Sequence, residues 1–384
     1  MADTKRPIAS ASVFFSNTSK GTVTNEAGEF VLDNIPNGRY DMVISCISYE
    51  TQVQNIQAEK IATPIVIELK PKAAELQEVV VGGYVKEGWE QWGKFFLDRF
   101  IGTSPYAEDC KIVNPQAIQF RNYKKQRILK AFGNETLEIE NKALGYKLHY
   151  QLELFQYDFT TQILTYQGYP LFEEMETKRE ARQKRWAKKR QEVYYGSQLH
   201  FMRSLYRNKL TEQGFEVRKL VRDTNLEKQR VKALYAKQFA GNRVLGDKNI
   251  TIGWGNISGN KDSIAYYETV MRQKDVKETV YPTLLTGDSI AYQVDSVTAG
   301  CDFTDYLRIT YTKTKEPLEY LQQTMQSRDP MNPVSLLVLI NKTPIQLISN
   351  GFYYEPLDLL NSGYWSWSEK IATMLPYDYW PHKQ

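Results

Sequence analysis

The sequence predicts a mainly β chain with some α-helix, in which a small N-terminal antiparallel β-sandwich precedes a larger antiparallel β-rich α+β domain. Three observations predict it. From Pro7 to Leu69 short β-branched runs are separated by turn residues, and from Leu144 to Phe159 apolar and polar positions alternate. From Gly241 to Gln384 strand-sized apolar pieces lead into a Tyr/Trp-rich tail. At 384 residues the chain exceeds the roughly 250 that one core usually holds, so one small and one large unit is the economical arrangement.

In the N-terminal stretch the runs are ASVFF, GTVTNEAGEFVL, NIPNGRYDMVISCISYETQVQNI and TPIVIEL. Asn25-Glu26-Ala27-Gly28 and Pro36-Asn37-Gly38 supply tight turns with glycine where positive φ is needed. Alternation through Tyr40, Met42, Ile44 and Cys46 turns one face inward.

The string PIASASVFFSNTSKGTVTNEAGEFVLDNIPNGRYDMVISCISYE resembles the carboxypeptidase-regulatory-like domain of Bacteroidetes envelope proteins. Its order is P-x-x-x-A-x-V, then G-T-x-T-(D/N)-x-x-G-x-F, then L-P-x-G-x-Y, then a G-Y-E-like ending. The resemblance implies a transthyretin-like/Ig-like β-sandwich over residues 1–71 and implies no peptidase activity, because that sandwich carries no zinc ligands and fold analogy does not transfer chemistry. Ser48 stands where the family has Gly, and Met1-Ala2-Asp3 begins at the end of the family's opening strand. The expectation is therefore a truncated first strand, with an export signal or lipid anchor upstream. The implied location is the periplasm or the outer membrane.

Residues 72–88 read as a linker, in which LQEVVVGGY at 76–84 resembles the segment that joins this sandwich to the plug of TonB-dependent receptors. A barrel does not follow, since the remainder lacks a series of strands with alternating lipid-facing residues. The linker reads either as an edge strand with a tether or as a segment that adds to a partner's sheet.

The larger domain, residues 89–384, opens on WEQWGKFFLDRFI, whose aromatic residues fall at helical spacing and form a core-facing stripe. Strands follow in AIQF, RILKAF, TLEIEN, LGYKLHYQLELFQYDF and TQILTYQGY, with Tyr146, Leu148, Tyr150, Leu152 and Leu154 on one face. A helix is expected near 173–193, anchored by Met175, Trp186 and Val193, with eight basic residues in thirteen positions from Lys178 to Arg190. Lys178, Arg182, Arg185 and Lys189 are the candidate contacts if this face binds lipid phosphates or an acidic protein; otherwise it is a solvated surface. GSQLHFMRSLY at 196–206 with Gly214-Phe215 resembles a motif of the same protein group. Later strands are NITIGW, SIAYYETV, SIAYQVDSV, YLRITYTK, VSLLVLIN and PIQLIS.

No reaction centre emerges from the residue types. The chain has three histidines, His149, His200 and His382. His149 and Glu153 sit four apart on a strand, over ~13 Å, and do not chelate one ion. His200 beside Ser197 is the sole nucleophile-like pair, and Gly255-Asn256-Ile257-Ser258-Gly259 has the wrong spacing for a nucleophile elbow. No pair among the 45 acids is singled out for glycoside hydrolysis, and phosphate-cradling and dinucleotide loops are absent. Three cysteines, Cys46, Cys110 and Cys301, form no framework, although a Cys110–Cys301 pairing stays open. A formal charge of +4 is too small to hold nucleic acid.

The expected function is therefore that of a non-enzymatic binding or scaffold protein of the bacterial envelope, without cofactor or metal, an accessory of an outer-membrane complex with protein partners. The alternative is a glycan-binding or glycan-active protein of a polysaccharide-utilisation system, in which Trp365, Trp367, Tyr377 and Trp380 stack on sugar rings.

Overall fold

The computed structural model describes residues 6–35, 38–61, 64–72, 85–243 and 260–381. Strands β1 (Ser12–Phe15), β2 (Gly21–Val23), β3 (Arg39–Ser45) and β4 (Gln52–Gln57) form an antiparallel sheet in the order β2-β1-β3-β4. Tyr40, Met42 and Ile44 face one way, as the alternation predicts, and close a core with Val13, Phe15 and Leu69. Phe30, Leu32, Ile65 and Ile67 pack on that core from outside any strand. The TPIVIEL run, which the sequence predicts as a further strand, therefore contributes apolar cover to the sheet, and just beyond it Pro71 forms one bridge with Tyr49. The Asn25 turn closes as predicted, with the Gly28 N–H donating to the Asn25 carbonyl at 2.9 Å and a Gly28 φ of 74°. Pro36 and Asn37 lie outside the described residues.

The second sheet uses β5 (Val85–Glu87), β6 (Cys110–Ile112), β7 (Ile118–Tyr123), β8 (Ile128–Gly133), β9 (Leu137–Asn141), β10 (Tyr146–Asp158) and β11 (Ile163–Glu174). Its order is β5-β7-β8-β10-β9-β6, with β11 on the other edge of β10. Helix α1 (Trp89–Phe100) lays its aromatic stripe on this sheet, where Phe96 and Phe100 are fully buried against Phe120 and Phe155. The inward alternation of β10 holds through Leu152. A bulge between Leu152 and Leu154 then shifts the register, so Phe155 and Tyr157 are buried and Leu154 is not. That corrects the placement of Leu154 on the inner face.

The basic helix also begins later than its composition suggested. Pairing of β11 with β10 runs through Glu174, so Glu173, Met175 and Lys178 precede helix α2 (Glu180–Tyr194), and Trp186 and Tyr194 are its buried anchors. Helices α3 (Gln198–Tyr206) and α4 (Leu210–Gln213) lead into β12 (Phe215–Thr224), followed by α5 (Leu226–Arg243). SIAYYETV, expected as a strand, lies in α6 (Lys261–Arg272), where the Asn260 side chain caps the first turn and Val270 is the buried residue. NITIGW and the glycine-flanked segment from Gly255 lie outside the described residues, as does the LQEVVVGGY linker.

Then come β13 (Val276–Leu284), β14 (Ala291–Gln293), β15 (Thr298–Cys301) and β16 (Tyr306–Tyr311), helix α7 (Leu318–Gln323), β17 (Val334–Leu339), β18 (Ile345–Ile348), β19 (Leu359–Gly363) and helix α8 (Tyr364–Ser368). They make a sheet of order β13-β12-β16-β17-β19 and a smaller one of order β14-β15-β18. Only Ala291–Gln293 of SIAYQVDSV forms a strand. All three cysteines are free; Cys110 belongs to the core under α1 and Cys301 to the separate core of these last sheets, which excludes the pairing left open by the sequence.

Backbone hydrogen bonds attach the N-terminal sheet to the rest. The Asn17 N–H donates to the Pro170 carbonyl at 2.7 Å, the Phe172 N–H to the Thr18 carbonyl at 2.9 Å, and the Tyr377 N–H to the Asn17 carbonyl at 2.6 Å. Arg39 adds an ion pair to Asp295 at 3.0 Å.

Candidate functional site

The GSQLHFMRSLY segment resolves into packing and capping. Ser197 caps α3, its hydroxyl accepting from the His200 N–H at 3.0 Å and donating to the Tyr194 carbonyl at 2.6 Å. The His200 ring accepts from the Gly196 N–H at 3.2 Å through Nδ1 and meets the Gln213 side chain at 3.1 Å through Nε2. Burial lowers the His200 imidazole to about 4, so it stays neutral. Ser197 and His200 thus form a helix cap, and the serine is not activated. Arg203, 1% exposed, donates to the carbonyls of Asn350, Tyr377 and Tyr379 at 2.7, 3.0 and 2.9 Å. This one side chain pins the C-terminal tail to α3.

Half of the basic run is already engaged. Lys184 pairs with Glu180 at 2.6 Å, Lys189 approaches Asp109 at 3.8 Å, and Lys188 reaches Glu192 at 3.9 Å. Arg190 bonds the Leu144 and Gly145 carbonyls and lies 3.8 Å over the Tyr146 ring. Lys178, Arg179, Arg182 and Arg185 are exposed, and they gather at the start of α2. Lys189 belongs to the fold's own contacts more than to this group.

Elsewhere on the surface His149 bridges two carboxylates, Glu138 at 2.8 Å and Glu173 at 3.2 Å, and its pKa is raised chiefly by the hydrogen bond to Glu138. Strand pairing explains this: His149 stands opposite Glu138 on β9 and next to the Glu173 end of β11. No cluster of three His, Cys, Asp or Glu residues suited to a metal ion occurs among the described residues.

A cleft of about 1490 Å³ lies where the N-terminal sheet, β11, α1, α3 and the C-terminal tail converge. β11 from Ile163 to Pro170 lines it, together with Tyr353, Trp367, Glu369 and Tyr377. Eleven aromatic residues line it, against four carboxylates (Asp41, Asp98, Glu355, Glu369) and three cations (Arg99, Arg222, Lys370). The lining is therefore aromatic, polar and close to neutral.

A hydrogen-bond chain organises its floor. The Gln198 N–H donates to the Glu369 carboxylate at 3.1 Å, the Gln198 side chain donates to the Tyr353 hydroxyl at 3.0 Å, and Asn361 donates to the Gln198 side-chain oxygen at 2.9 Å. Desolvation raises the Glu369 carboxyl to about 7, and burial together with the nearby Arg99 lowers Lys370 to about 8. Glu369 keeps some access to the cleft but is surrounded by protein, which is why the shift is large. Tyr150, Tyr169 and Tyr377 also line it, Tyr150 being a core residue only 2% exposed, and burial raises the pKa of all three hydroxyls.

The four aromatic residues predicted to stack on sugars have separate fates. Trp365 is 2% exposed, its indole donating to the Gly196 carbonyl at 2.8 Å, so no face is open to a ligand. Trp380 is exposed but lies 3.7 Å over the Arg203 guanidinium. Trp367 and Tyr377 do line the cleft, where the Trp367 indole bonds Gln323 at 2.7 Å. Sequence reasoning missed the cleft's other members, Glu369, Lys370, Gln198 and the tyrosines of β10 and β11. Nothing local marks them, because they meet only through sheet register and the return of the tail.

A scan against protein families matches residues 1–81 to the CarboxypepD_reg-like domain. The N-terminal module is a carboxypeptidase-regulatory-like domain. Such a domain is not catalytic. Comparison with curated proteins and with solved structures gives no match. Asn17 and Ser16 of this regulatory-like domain line the cleft, so the module contributes to the wall that the larger part builds. No helix among the described residues is long and apolar enough to cross a membrane.

Proposed function

We propose that the protein acts by binding, as a non-enzymatic scaffold component of the bacterial cell envelope that holds a partner protein in its central cleft. The observation that carries this reading is the cleft itself. It exceeds the ~300–1,000 Å³ of small-molecule sites, its lining is nearly neutral, and it presents aromatic faces and polar side chains around the adjacent Glu369 and Lys370. Both described histidines are held by structural partners, and the Ser197–His200 pair is used as a cap. The envelope location rests on the resemblance of the regulatory-like domain and its linker to envelope proteins.

Glycan binding is the second reading, favoured by Trp367 and the tyrosines within the cleft. Exposed Lys178, Arg182 and Arg185 provide a separate surface for an anionic lipid or acidic protein.

A photo-crosslinking amino acid at Tyr169, introduced in cells that express the full chain, tests the proposal. Adducts with a defined protein in the envelope fraction are expected. Adducts confined to the cytosol, or release of reducing sugar from a polysaccharide panel by the purified protein, would overturn it.

A further inference from the structure

β11 pairs with β10 on one edge only. At its C-terminal end the other edge is occupied: Pro170 accepts from Asn17, Phe172 donates to Thr18, and Thr18 bridges Leu171 in the parallel sense. Backbone groups on a strand repeat every second residue, so the N–H and C=O groups of Leu164, Tyr166 and Gly168 point the same way as those of Pro170 and Phe172. No partner among the described residues meets these six groups, and they face the cleft. Gly168 is required there, because a Cβ would meet the Tyr150 ring at 2.3 Å and the Gln151 carbonyl at 2.4 Å.

We propose that the outer edge of β11 from Leu164 to Gly168 receives an extended segment of a partner polypeptide, which adds as a strand inside the cleft. This rests on the binding reading above and names the mode of binding. Three observations select a peptide. The open edge continues one that already carries a strand-like neighbour, Asn17–Thr18. Its donors and acceptors recur at roughly 7 Å intervals over about 17 Å, the spacing of a β-ladder, which a pyranose chain does not reproduce. The lining, with four carboxylates against three cations, suits an uncharged segment whose alternate side chains enter aromatic walls. Unpaired edges are normally blunted by charge, proline or cover, yet Leu164-Thr165-Tyr166-Gln167-Gly168 has no charge and no proline.

The test selects binders from a random decapeptide library displayed on phage, using the immobilised full chain, and resynthesises the best sequence with N-methyl groups on alternate residues in each of two registers. One register is expected to lose at least tenfold in affinity and the other to stay within twofold. In hydrogen exchange the unmodified peptide is expected to slow the amides of residues 164–168 at least tenfold. Leu164→Pro, which removes an outward N–H and no ladder bond, is expected to weaken the peptide at least tenfold with cooperative unfolding retained.

Equal affinity of both methylated forms overturns the proposal, as does an empty selection, unchanged exchange at residues 164–168, or protection of those amides by cellohexaose alone. These outcomes are separable from failure of the binding reading. Envelope adducts at Tyr169 with no effect of backbone methylation would leave that reading standing and remove strand addition.

Discussion

Replacing Arg203 with methionine removes the side chain that bonds α3 to the carbonyls of Tyr377 and Tyr379 in the C-terminal tail. The guanidinium makes three hydrogen bonds to backbone carbonyls of 2.7–3.0 Å and stacks under Trp380. A hydrogen bond involving a charged group contributes about 1.5–3 kcal/mol, and methionine leaves three carbonyls without a donor. Against this, a buried cation without a carboxylate partner is itself costly, and its pKa is lowered by desolvation. Removing one member of such a buried network typically costs about 3–5 kcal/mol, so a loss of about 4 kcal/mol is expected. At about 2–4 °C per kcal/mol for a large domain, Tm should fall by roughly 8–16 °C. Denaturant titration with limited proteolysis measures both parts: the midpoint drops, and residues 376–381 become the first cleavage site. Arg203→Lys should recover less than half of the loss, since an ammonium does not span three carbonyls in a plane. A cost under about 1 kcal/mol, with the tail still protected, would refute the reasoning.

Glu369 has a folded pKa above its unfolded value, so its contribution to stability is fully present below about pH 4.5 and is lost as pH rises through about 7. Glu369→Gln should remove that slope, about 2 kcal/mol between pH 4.5 and 7.5 in denaturant titrations. His200 runs the other way: its stability contribution is present above pH 6.5 and declines as pH falls toward about 4, and His200→Gln should flatten that limb. Gly145→Ala should cost about 2–4 kcal/mol by thermal unfolding, because φ is +73° and a Cβ would lie 2.3 Å from the Trp186 ring. Maleimide should label Cys46 in the native protein and leave Cys110 and Cys301 untouched until denaturant is added, as burial raises both thiols to about 12.

Much of the fold was legible where one local rule dominated. The aromatic stripe of α1 and the alternation of β10 up to Leu152 follow directly from period. The bulge past Leu152 was not legible, since an extra residue leaves the alternating pattern intact on either side. SIAYYETV reads as a strand because β-branched and aromatic residues outweigh a single Asn260 cap in a short window, whereas the fold caps a helix with Asn260 and buries Val270. Composition starts the basic helix two turns early because Glu173 and Glu174 favour helix by propensity but are held in the ladder opposite Lys147 and Tyr146. The cleft was illegible altogether. Tyr150, Tyr166, Gln198 and Glu369 are brought together by strand register and by the tail's return, and neither leaves a mark on any short stretch of sequence.

The Asn17 backbone is held on one side by Pro170 and on the other by Tyr377. During synthesis the first seventy residues emerge long before Tyr377 does, so the bond from Tyr377 completes the module's seating after its contacts with Pro170, Phe172 and Asp295 are available. Its seating is thus a late step of high sequence separation, slow relative to the closing of each sheet. A chain lacking its final residues would keep the Pro170, Phe172 and Asp295 contacts of this module and lose the Tyr377 bond to Asn17 and the Asp378 bonds to Ser19, loosening the module on the side of the cleft that the tail closes.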